Sequence, residues 1–144
     1  MELQVYLIDT NVVSELRKKT KANGGVIAFF NSAIENNKAL FISAITLGEL
    51  RRGVAMIQHR GDKMQASILN AWLETIVNDY ADNILSFSES EAQVWGVLRV
   101  PNHENAIDKQ IAATALTHDL ILVTRNITDF SGTGVKLLNP FLNH

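Results

Sequence analysis

Short apolar runs recur along this chain. Each is too brief for a helix, and each is followed by a stretch whose apolar residues repeat with helical period. That alternation limits the fold more than any single motif does. Gln4–Ile8 (QVYLI), Ala39–Ala44 (ALFISA) and Leu120–Thr124 (LILVT) are three such runs. Strands apolar on both faces belong in a sheet covered on both sides, the usual setting of parallel strands. Ile84–Phe87 and Val135–Leu138 are shorter strand candidates.

The stretches between them read as helices. Val26, Phe29, Phe30, Ala33 and Ile34 follow the break at Asn23-Gly24-Gly25. Leu47, Leu50, Val54 and Ile57 form one face of a second helix, and Met64, Ile68, Trp72, Ile76 and Tyr80 a stripe on a third. Ser88 to Glu91 has capping-box spacing ahead of Val94, Trp95 and Leu98. Pro101 to Asn105 is loop-like, and Ile107, Ile111, Ala115 and His118 then follow helical spacing. The expectation is an α/β chain of three layers, a central parallel sheet covered by helices on both faces, with residues 1–144 forming one domain.

In such sheets, sites form at the carboxyl ends of the strands, near a switch in strand order. Asp9 directly follows the first strand, and Asp129 lies a few residues after LILVT. Glu49 and Asp108 sit beside core-facing positions near helix N-termini, where the helix dipole favours a carboxylate. Singly, each fits an ordinary role: Asp9 as a helix cap, Glu49 as a solvated residue, Asp108 as a dipole partner, Asp129 as a turn residue. Gathered at one end of a sheet, four carboxylates repel one another, and a divalent cation resolves the conflict. With no Cys and no paired His, an oxygen-only ligand set favours Mg²⁺ or Mn²⁺ over Zn²⁺.

Absence of cysteine also excludes a disulfide scaffold and a thiolate nucleophile. No apolar run reaches membrane-spanning length, and no basic segment leads into an apolar one at the N-terminus, so a cytoplasmic location is expected. The formal net charge of −2 argues weakly against a polyanionic partner. Setting the four acids aside from the fifteen leaves eleven against thirteen basic residues, which removes that objection. Arg17-Lys18-Lys19 with Lys21, and Arg51-Arg52 with Arg60, are candidate phosphate contacts, although most surface Lys and Arg only solubilise. His103 and His118 have no partner at metal-ligand spacing, and His144 is terminal. Trp72 and Trp95 lie on apolar helical stripes and read as packing residues of the core or a dimer rather than base-stacking ones.

Four blocks, LIDTNVVSEL, ISAITLGELRRGVA, IDKQIAATAL and LVTRNITDF, occur in an order and spacing that resembles PIN-domain endoribonucleases of the VapC toxin type, in particular their FitB-like branch. The resemblance runs along nearly the whole chain. It implies a PIN-like fold and a metal site from Asp9, Glu49, Asp108 and Asp129, with hydrogen-bond support from Asn11, Thr124 and Asn126. Asp9 and Asp108 would be the principal ligands, and Glu49 and Asp129 direct or water-mediated ones. The approach to the third acid, NHENAID, departs from the Gly- or Pro-containing approach usual in that family. The resemblance further implies Mg²⁺ (with Mn²⁺ able to substitute), cleavage of tRNA or rRNA, a homodimer, and neutralisation by a small VapB/FitA-like antitoxin through which operator DNA is bound.

Two other classes remain. A receiver-like phosphoacceptor would want paired acids after the first strand and a Lys after a late one; here Asp9 stands alone and Arg125 occupies the late position. A catalytically inert binding module of the same fold would not need all four acids, and all four are present.

Overall fold

The computed structural model describes residues 4–142. His144 lies outside them. Five strands form one sheet: β1 (Tyr6–Ile8), β2 (Leu40–Ser43), β3 (Ile84–Leu85), β4 (Ile121–Val123) and β5 (Leu137–Leu138). All neighbours pair in parallel, in the order β3-β2-β1-β4-β5. Six helices connect them: α1 (Thr10–Leu16), α2 (Gly24–Glu35), α3 (Ala44–His59), α4 (Lys63–Asp79), α5 (Glu89–Leu98) and α6 (Ala106–Thr117). The strands are shorter than the apolar runs that announce them, because the flanking residues go to caps and crossovers.

Successive side chains of a strand point to opposite faces, and here both faces are covered. Tyr6 and Ile8 join Leu40, Ile42 and Val123 in a core under α1 to α4, where Val26, Phe30, Leu50, Val54, Leu69 and Leu73 pack. Leu7 and Leu122 point the other way, into a second core with Ile111, Ala112 and Ala115 of α6 and with Phe130. One sheet between two apolar layers is the three-layer arrangement that the alternation predicts.

The stripe expected on α4 needs correction. Met64 and Ile68 are exposed, and the buried face is Ala66, Leu69, Leu73 and Ile76. A strict i+4 series advances about 40° per step around a helix of 3.6 residues per turn, so it leaves the core face within a few steps. Ile34, at the end of the α2 stripe, and Ile107, at the start of the α6 stripe, are exposed for a related reason. Ile34 lies off the face of α2 that Val26, Phe30 and Ala33 bury, and Ile107 precedes the first buried residue of α6.

Chain order reverses between β1 and β4. The chain leaves β1 for β2 on one side and returns to β4 on the other, so the crevice beyond their carboxyl ends is the topological switch point.

Candidate active site

Asp9 occupies the position immediately after β1. Its main-chain N–H donates to the carbonyl of Val123 at the end of β4, 2.9 Å away, which ties the two strand ends together. Its side chain caps α1, accepting from the Thr10 N–H at 2.8 Å. The other oxygen, Oδ2, accepts from the Thr124 hydroxyl at 2.7 Å and from Asn11 Nδ2 at 3.3 Å. Cap and crevice carboxylate are therefore the same group. Asp9 is buried, and burial pushes its carboxyl above the usual range. The bonds from Thr124, Thr10 and Asn11 oppose that rise, while the charge of Asp129 adds to it.

Thr124 is the hub of the support. Fully buried, it donates to Asp9 and accepts from Asn11 Nδ2 at 3.3 Å and from the Asn126 backbone N–H at 3.0 Å. Asn11 also accepts from the Arg125 N–H at 3.1 Å, bracing α1 against the turn after β4. Asn126 is exposed and takes part through its main chain.

Asp108 reaches the same crevice from the first turn of α6. Burial comes first, then the charges of Asp9, Asp129 and Glu49, and together they raise its carboxyl from the usual 3.8 to about 6. The structure thus brings the other three sequence-predicted acids within electrostatic reach of Asp108, and Asp129 within reach of Asp9. Glu49 arrives from the second turn of α3, a helix started directly at the end of β2 by Ser43, whose hydroxyl accepts from the Ile45 N–H at 3.0 Å. Asp129 stands exposed on a 3₁₀ turn, Ile127–Phe130, pinned by the buried Phe130.

The loop before Asp108 is held by contacts that no local motif signals. Asn105 takes a left-handed backbone (φ 55°), which Asn adopts more readily than most residues, so no glycine is needed in NHENAID. Lys109 is buried, and its ammonium donates to the Asn102 carbonyl at 2.5 Å. Trp95 Nε1 donates to the Ala106 carbonyl at 2.9 Å. Trp95 thus packs, as its stripe predicts, against Phe87 and under Arg99. Buried Glu15, also unsignalled by the sequence pattern, organises the turn behind α1. It accepts from Lys18 at 2.9 Å and from the Asn23 N–H at 2.8 Å. Burial alone would push its carboxyl up, but these bonds and the charges of Lys18 and Arg125 hold it below the usual range.

The remaining candidates are less concentrated. His103 and His118 are exposed, the latter 3.8 Å from the Glu91 carboxylate. Arg17, Lys18, Lys19 and Lys21 line the surface after α1, with Lys18 already paired to Glu15. Arg51 is committed to Asn70 at 2.6 Å.

Among the described residues, no three acid or histidine side chains stand close enough to close around one ion. The donor set nevertheless fits Mg²⁺ or Mn²⁺. It is all oxygen, the charges acting on Asp9 and Asp108 are all carboxylates, and Mg²⁺ is commonly held by one or two carboxylates with waters completing its shell.

Fold and crevice define a class: doubly wound α/β proteins that gather carboxylates at the switch point. The sequence matches the PIN domain family over residues 6–134, and the chain belongs to that family. Among its relatives, the toxin FitB of Neisseria gonorrhoeae is 36% identical over 143 residues, spanning 95% of this chain and 99% of FitB. The VapC ribonuclease Y4jK of Sinorhizobium fredii is 28% identical over 142 residues, spanning 95% and 98%. The crystal structure of FitAcB from Neisseria gonorrhoeae matches with a TM-score of 0.81 at 34% identity, covering 94% of this chain and 98% of that one.

Proposed function

We propose that this chain is a metal-dependent endoribonuclease and the toxin of a toxin–antitoxin pair. The observation that carries the reading is Asp108 at the switch point, raised to about 6 by burial and by the charges of Asp9, Asp129 and Glu49. The FitB toxin and the VapC ribonuclease, aligned over nearly the whole chain, support the biological role.

Asp9 and Asp108 would hold the cation, with Glu49 and Asp129 bound directly or through water. When bound, it would supply a more acidic water and a charge sink at the phosphoryl oxygens. The chain's own residues do the rest. Thr124, Asn11 and the Thr10 N–H fix the Asp9 carboxylate in one orientation and favour its ionised form against burial. Asp108 must lose its proton before it can serve as a ligand. Either Glu49 or Asp129, both more open to solvent than Asp9, orients the attacking water and takes its proton as the phosphodiester P–O bond to the leaving oxygen breaks. The substrate is a structured RNA such as tRNA or rRNA. A small antitoxin neutralises the toxin and carries operator binding, and the toxin acts as a cytoplasmic homodimer.

The test incubates purified protein and structured RNA with Mg²⁺ or Mn²⁺, beside Asp9→Asn and Asp108→Asn. Cleavage by the wild type, reduced at least about a hundredfold in each variant, is expected. Equal cleavage by all three, or none by a folded wild type, defeats the reading. Induced expression should arrest growth, and co-expression of the antitoxin should relieve it.

A further inference from the structure

Glu49 also forms part of the wall of a cavity of about 190 Å³ between α1, α3 and α4, which the carboxylate chemistry does not use. Leu69 and Ile57 supply apolar lining, Trp72 an aromatic wall, and Ser14 and Arg17 polar groups. Trp72 is only half-buried, and its other contacts are with the core under α4. Arg17 is exposed and makes no ion pair among the described residues.

We infer that this cavity is a subsite for one nucleobase of the RNA strand being cleaved, with Trp72 as the stacking wall and Arg17 meeting the adjoining phosphate. The inference rests on the ribonuclease reading and names where the substrate next to the scissile bond is held. An apolar side chain would match the lining but leave the guanidinium and the hydroxyl without a partner. A nucleotide satisfies all of them at once: a flat π-face for the indole, polar edges for Ser14, and a phosphate for Arg17. Glu49 lines this cavity and is also one of the four acids, so a base held here adjoins the carboxylate crevice. Reading Trp72 as packing alone follows from its helical stripe; the cavity wall it forms gives it a second role.

The probe is a short, labelled single-stranded RNA of mixed sequence, titrated into Asp108→Asn protein so that the strand stays intact. Label anisotropy reports binding, and tryptophan emission reports occupancy. Saturable quenching that the further change Trp72→Phe removes is expected. In the otherwise wild-type enzyme, Trp72→Ala should raise KM roughly tenfold with kcat within about twofold, matching the loss of one stacked base. Trp72→Phe, which keeps a π-face, should restore most of that KM. Thermal melting identifies any variant that fails to fold, and Arg17→Gln, at an exposed position, should raise KM on its own.

RNA that binds to saturation without altering Trp72 emission overturns the subsite. So does an unchanged KM in folded Trp72→Ala, or quenching by an antitoxin with none by RNA. Binding with Trp72 quenching but no cleavage by the wild type keeps the subsite and defeats the nuclease reading instead.

Discussion

Asp9 is buried, yet its oxygens have three hydrogen-bond donors. The donor with the shortest bond, the Thr124 hydroxyl, is itself buried and locked by two other groups. Thr124→Val keeps the shape and removes the donor, leaving a buried carboxylate oxygen short of a partner. It should destabilise the fold by about 1–3 kcal/mol and push the Asp9 carboxyl higher still. Asn126→Ala keeps the backbone N–H that contacts Thr124, so it should change stability by less than about 0.5 kcal/mol. Denaturant unfolding of the two variants separates the roles, and equal losses would show that the hydroxyl is not the hub. Asp9, Asn11 and Thr124 are legible in the sequence because strand ends and caps draw on a small set of residue types. Lys109 and Glu15 are not. Burial of these charges also depends on main-chain partners in neighbouring loops, the Asn102 carbonyl and the Asn23 N–H, which helical spacing does not record.

Strands are the elements that the sequence announces most plainly, since a short run apolar on both faces fits little besides a buried parallel strand. Helical faces are less secure. On α4 the true core face recurs with mixed spacings of three and four, Ala66, Leu69, Leu73 and Ile76, and a series of fours alone drifts off it. Leu73 is 1% exposed and Met64 78%. Leu73→Ala should therefore cost about 2–5 kcal/mol through lost burial and an unfilled cavity. Met64→Ala should stay within about 0.5 kcal/mol. Comparable losses, measured by chemical unfolding, would mean that α4 packs with the other face inward. The loop before α6 shows a different limit. Its sequence contains no glycine, and the left-handed Asn105, with the bonds from Lys109 and Trp95, accounts for how it turns.

Across the whole molecule, the crevice stores electrostatic strain that a cation would relieve. Asp9 and Asp108 both have raised carboxyls, and near pH 5 Asp108 holds a proton in the folded chain that it has mostly lost in the unfolded one. Stability contributed by Asp108 is thus present below the usual 3.8 and lost as pH rises toward about 6, the reverse of Glu15, whose lowered carboxyl stabilises the fold above the ordinary 4.5. Asp108→Asn removes the strained charge. Without divalent cations its melting temperature should match the wild type near pH 4 and exceed it increasingly up to about pH 6, with a constant gap beyond. Added Mg²⁺ or Mn²⁺ competes with that proton. It should raise the wild-type melting temperature more at pH 7.5 than at pH 5, and leave Asp108→Asn much less affected. If the chain cleaves RNA as proposed, the same competition should give cleavage an acidic limb near pH 6 at subsaturating metal, moving lower as metal saturates. Scanning calorimetry across pH, with chelator and with metal, decides the matter. A variant that melts below the wild type at pH 7.5 in chelator would mean that Asp108 is held by favourable partners, and that the four carboxylates do not oppose one another as the proposed metal site requires.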